Sequence, residues 1–102
     1  MLLERRREFR EEVEDCRVQI IAKKYSCWGK VVNISDGGIN VEADTVPPKL
    51  EELRICVKTG DGRVLYKSGI VVWFVAREPP DYGCNVGIKF LKDIDKDEFD
   101  KK

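Results

Sequence analysis

Polar and apolar positions divide the chain into three zones. Residues 1–15 are charge-dense and hold few apolar side chains (Leu2, Leu3, Phe9 and Val13), a composition that predicts a flexible arm rather than core. From Cys16 the pattern becomes short apolar runs broken by Gly, Asn, Asp and Pro. The run Arg17–Ala22 starts with the two-residue alternation of a half-buried strand. Residues 28–34 predict a second strand, ended by Ser35-Asp36-Gly37-Gly38, and residues 39–43 alternate cleanly as a third. Val46-Pro47-Pro48 interrupts the chain. Beyond it, Leu53, Ile55 and Val57 point one way and Arg54, Cys56 and Lys58 the other. Thr59-Gly60-Asp61-Gly62 predicts a hairpin, because glycine supplies the left-handed backbone such turns need. Residues 63–76 form the return strand, and its unbroken apolar centre, 70–75, predicts cover on both faces. After a loop over 78–83, Cys84, Val86, Ile88 and Phe90 alternate as a sixth strand. The tail from Lys92 keeps only Ile94 and Phe99 as large apolar side chains, enough for at most a short helix.

Six short strands, tight turns and no long amphipathic helix predict an all-β fold, a six-stranded antiparallel barrel or sandwich. With 102 residues, no internal repeat and no long linker, the chain reads as one domain: an arm over 1–15, a barrel over 16–91 and a charged tail over 92–102.

Composition then narrows the chemistry. The chain has no histidine, so a Ser-His-Asp triad, a Cys-His pair and a His-ligated zinc are excluded. The 19 basic and 19 acidic residues balance, leaving no uniformly basic field to hold long nucleic acid. Cys16, Cys27, Cys56 and Cys84 contain no Cys-x-x-Cys pair, and the expectation is free, mostly buried thiols in a reducing cytoplasm. The longest strongly apolar stretch, 70–76, is far too short to span a bilayer as a helix, so no membrane insertion is expected. No glycine pattern for phosphate binding and no activated nucleophile is present, so neither an enzyme nor a cofactor or metal is expected.

Two local patterns remain. Arg6 and Arg10 form Arg-x-x-x-Arg, with Arg5 and Arg7 beside them, and Asn33-Ile34-Ser35-Asp36-Gly37-Gly38 forms Asn-x-Ser-x-x-Gly in a strand-to-strand turn. In this order, ahead of Gly87-Ile88-Lys89-Phe90, they resemble the PilZ domain family over nearly the whole chain. The resemblance implies a PilZ-like split barrel of six strands that binds the bacterial second messenger cyclic di-GMP. It implies ligand contacts from Arg6, Arg10, Asn33, Ser35 and Gly38, with Arg5, Arg7, Asp36, Gly37 and Trp73 as further candidates.

The residue chemistry fits the same positions. A guanidinium grips a phosphate or guanine O6 and N7 bidentately and stacks on a base. Asn33 and Ser35 oxygens accept from guanine N–H groups. Gly38, without Cβ, lets a base or phosphate approach the backbone. The same residues have structural readings too. The arginines can pair with Glu4, Glu8, Glu11, Glu12 and Glu14, and the turn residues can serve the turn itself. Trp73 reads either as a core aromatic or as a stacking platform for guanine; Trp28 and Tyr25 read first as core, and otherwise as capping the barrel or flanking the site.

The resulting expectation is a cyclic di-GMP receptor, monomer or homodimer, that changes conformation on binding and signals to an unidentified protein partner. The alternatives are a ligand-independent PilZ-type interaction module and a barrel that binds single-stranded nucleic acid. Arg5 also leaves room for a second, stacked ligand molecule.

Overall fold

The computed structural model describes residues 15–78 and 83–101. The arm with Arg5, Arg6, Arg7 and Arg10 lies outside the described residues.

Among the described residues there are six strands: β1 Arg17–Ala22, β2 Tyr25–Ser35, β3 Gly38–Ala43, β4 Leu53–Lys58, β5 Val64–Ala76 and β6 Cys84–Asp93, followed by a short helix, α1 Lys96–Asp100. They close into a barrel in the order β1-β2-β3-β6-β5-β4, with every pairing antiparallel. The alternating side chains build the interior as the pattern predicts. Val18, Ile20, Val41, Leu53, Ile55, Val57 and Val86 are fully buried, with Ile39, Val71 and Ile88 beside them. Each such side chain contributes about 1.5–3 kcal/mol of burial. Cys16, Cys56 and Cys84 are buried and Cys27 is half-buried; none of the four is in a disulfide.

The structure differs from the sequence pattern at four places. First, β2 starts at Tyr25, because Ala22 pairs directly with Tyr25 and leaves Lys23-Lys24 as the turn. A charged turn between two strands carries no apolar signal. Second, β2 reaches Ser35 and β3 begins at Gly38, so Asp36-Gly37 alone form the turn.

Third, β5 is not covered on both faces at its centre. Val72, Trp73, Phe74 and Val75 are 54%, 43%, 38% and 57% exposed. The reason is topological: β4 pairs with β5 only from Val64 to Gly69, so beyond Gly69 the strand has β6 as its one neighbouring strand among the described residues. Fourth, Trp28 is not core. It sits on the outer face, 53% exposed, with Lys58 Nζ 5.7 Å from its ring centroid. Tyr25 does pack against the core, and its hydroxyl donates to Cys27 Sγ (2.8 Å).

The tail forms α1, capped by the Asp95 carboxylate accepting from the Glu98 N–H (2.8 Å). Phe99 is buried against Tyr66, ring centroids 5.4 Å apart. Arg54 donates to the carbonyls of Glu98 and Phe99 (3.2 and 3.1 Å) and to that of Lys101.

Candidate functional site

The β2–β3 hairpin carries the turn motif on the outside of the barrel. Ile34 and Ile39 pair with each other and pack inward, so Asn33, Ser35, Gly38 and Asn40 face outward by alternation. The pairing of β3 with β6, and of β6 with β5, extends these positions around the surface. Asn33 lies beside Asn40, Asn40 beside Gly87, and Gly87 beside Trp73. The adjacent row runs Ser35, Gly38, Lys89, Ile70. Four strands at the usual spacing make a face about 14 Å across.

Two bulges aim this face. The register shifts between Val31 and Asn33 on β2, and between Val71 and Trp73 on β5. An extra residue in each strand restarts the alternation, so Asn33 and Trp73 turn outward while Val31 and Val71 stay buried.

The glycines make room. A Cβ at Gly87 would stand 2.1 Å from Trp73 Nε1 and 2.3 Å from its Cε2, so the indole lies against the bare Gly87 backbone. A Cβ at Gly38 would stand 2.5 Å from the Ile88 carbonyl oxygen. Close approach, not a left-handed backbone, is therefore what Gly38 provides; among the described residues positive φ belongs to Gly62, at 93°. The turn is tied down by the Phe90 N–H, which donates to the Gly37 carbonyl (2.9 Å).

The structure thus brings together Asn33, Ser35, Asp36, Gly37, Gly38 and Trp73. Trp73 stands on the outer face, not in the core. The sequence reading missed Asn40 and Lys89. Both are polar positions between buried neighbours, so alternation marks them as outward-facing, but only the β3–β6 register places them beside the turn motif. Lys89 supplies a positive charge on the face, and Glu42 on β3 is engaged by Arg77 (3.3 Å). The face can therefore offer amide and hydroxyl groups, a cation and a flat aromatic surface to an anionic ligand with a planar ring.

Other features do not compete. Burial pushes the Cys27, Cys56 and Cys84 thiols up from their ordinary range, which keeps them protonated and poorly nucleophilic. A groove of about 1100 Å³ beside α1 sets Glu52, Asp95, Asp97, Glu98 and Asp100 against Lys23, Arg54 and Lys101, an excess of carboxylates that disfavours an anion. Among the described residues no cluster of Cys, Asp and Glu could hold a metal ion, and no helix is long and apolar enough to cross a membrane.

No curated protein and no solved structure matches the chain. The family model for the PilZ domain does match, over residues 4–101. That match spans both motifs and all six strands of the closed barrel, and the chain belongs to the PilZ domain family.

Proposed function

We propose that the chain is a cyclic di-GMP receptor and that the Asn33–Asn40–Gly87–Trp73 row is the floor of its binding site. The observation that carries this reading is the convergence on one outer face of the turn motif, a cation and an exposed indole seated on a glycine. Family membership supports it, since the PilZ domain is generally a cyclic di-GMP-binding module.

In this reading one guanine stacks on Trp73, and base–aromatic stacking contributes about 1–3 kcal/mol. Asn33 and Ser35 accept from guanine N–H groups, and Lys89 faces a phosphate. Arg6 and Arg10 close over the ligand, gripping phosphate or guanine bidentately. Closure alters the surface that a partner protein reads, a population shift driven by differential affinity.

Calorimetric titration with cyclic di-GMP, with GMP and cyclic di-AMP as controls, tests this. Wild type is expected to bind saturably and guanine-selectively. Arg6→Ala/Arg10→Ala is expected to lose at least tenfold in affinity while melting at the wild-type temperature. Absence of heat and of thermal stabilisation in wild type at high ligand concentration would sink the receptor reading in favour of a ligand-independent interaction module.

A further inference from the structure

Cross-strand register sets three cations side by side on the outside of the barrel. Arg17 on β1 stands opposite Lys30 on β2 on one side and opposite Lys58 on β4 on the other. All three side chains are exposed. Like charges directly opposite one another destabilise a sheet, and among the described residues no carboxylate is ion-paired with any of the three. The next row holds Trp28 beside Gln19. Trp28 is 53% exposed, with the Lys58 ammonium over its ring, and it borders a hollow of about 600 Å³ with Asp15, Arg17 and Lys30. Aligned cations around an indole left in water cost stability that a covering partner offsets.

The same face ends in the opposite sign. Arg54, on the outer side of β4, holds α1 against the sheet, and the groove beside α1 runs over Gln19 and Ile21 of β1. Asp97, Glu98 and Asp100 of α1 line it, and carboxylates outnumber cations there. None of these three carboxylates is ion-paired among the described residues. Arg17 and Ile21 are four residues apart on β1, so the cation row and the groove are separated by about 13 Å.

We infer that two copies of the chain dock through this face, about a two-fold axis lying across β1 at Gln19, midway between Arg17 and Ile21. Such an axis reverses the strand direction between copies. It lays Arg17 and Lys58 of each copy over the α1 carboxylates of the other and brings the two Trp28 side chains together beside the axis. The contact is self-complementary and closed.

Polarity selects the occupant. A uniformly acidic segment on the cation row meets the α1 carboxylates within the same footprint, and a uniformly basic segment in the groove meets Arg17. The partner must carry both signs at the same spacing in reverse order, which a second copy does by symmetry. Trp28 at the centre is the kind of side chain that anchors such contacts. β1 and β4 hold no part of the Asn33–Asn40–Gly87–Trp73 row, so the pairing does not rest on the proposed ligand site.

Sedimentation equilibrium of the full chain without ligand, at low and at high salt, tests the docking. Wild type is expected to dimerise, and less tightly as salt rises. Arg17→Glu/Lys58→Glu makes both ends of the face acidic; Asp97→Lys/Asp100→Lys makes both basic. Each variant alone is expected to lose at least tenfold in dimer affinity. An equimolar mixture of the two is expected to form a heterodimer, because each then supplies the sign the other lacks. Trp28→Ala, at an exposed position, is expected to weaken the wild-type dimer at least tenfold with unchanged circular dichroism. A wild-type monomer at every concentration overturns the inference. A dimer indifferent to Trp28→Ala and to salt does so too, as does a mixture of the two folded charge variants that stays monomeric. Ligand is absent throughout, so a failed cyclic di-GMP titration leaves this result standing, and the reverse also holds.

Discussion

Gly87 and Trp73 compete for one volume. A methyl at position 87 lands 2.1 Å from the indole nitrogen, so Gly87→Ala must push Trp73 off the sheet. The indole is 43% exposed and can move into solvent, so the barrel is expected to survive at a cost of about 1 kcal/mol. Tryptophan emission is expected to shift, and cyclic di-GMP affinity to fall as far as in Trp73→Ala, about tenfold or more. Affinity unchanged in both variants would remove Trp73 from the site. Gly38→Ala is a different case, because its methyl meets the Ile88 carbonyl at 2.5 Å and a paired backbone cannot step aside. A loss of about 2–3 kcal/mol is expected there, read by urea denaturation, through separation of β3 from β6.

At the scale of elements, α1 shows how a charged tail earns a place in the fold. It is five residues long, too short to be stable alone, and is held by Phe99 and by Arg54 donating to its last carbonyls. Phe99→Ala is expected to destabilise the protein by about 3 kcal/mol. Arg54→Ala, which removes a half-buried donor to those carbonyls, is expected to cost about 1 kcal/mol. Neither position lies on the face with Asn33 and Trp73, so ligand affinity is expected to hold in both variants at temperatures where they remain folded. The two bulges act in the opposite direction, spending ladder regularity to aim Asn33 and Trp73 outward.

Across the whole molecule, pH dependence is set by what is missing and what is buried. With no histidine in the chain, no side chain of ordinary pKa titrates between about pH 5 and 8. Burial raises the Cys27, Cys56 and Cys84 thiols above the ordinary 9.0 and raises the Tyr25 hydroxyl as well. In this direction the unfolded chain releases its protons first as pH rises. The folded state then binds more protons than the unfolded state, and stability falls. Denaturation midpoints are therefore expected to stay flat through neutral pH and to drop above 9.0. Replacing Cys27 and Cys84 by Ser or Ala is expected to lessen that alkaline drop; an unchanged drop would assign it to other groups. Asp61, whose carboxyl is held low by Thr59 and Arg63, is fully exposed and adds nothing to this balance.

Alternation alone determined the strand count, an antiparallel all-β fold and most of its interior, because a period of two decides which side chains face a common core; it left barrel and sandwich open, and the family resemblance pointed to the barrel. The turn motif was equally legible, since Asn33, Ser35 and Gly38 are neighbours along the chain. What alternation could not supply was register. Asn40, Gly87, Lys89 and Trp73 come from three strands, and only the pairings of β3 with β6 and β6 with β5 set them in line with Asn33. The reading of 70–75 as doubly covered failed for the same reason. An apolar run reports affinity for burial, but whether a neighbour exists depends on where another strand ends, here Leu53 opposite Gly69. Local pattern determined the elements; the tertiary structure decided which of their faces and edges remained open, because cover comes from residues distant in the chain.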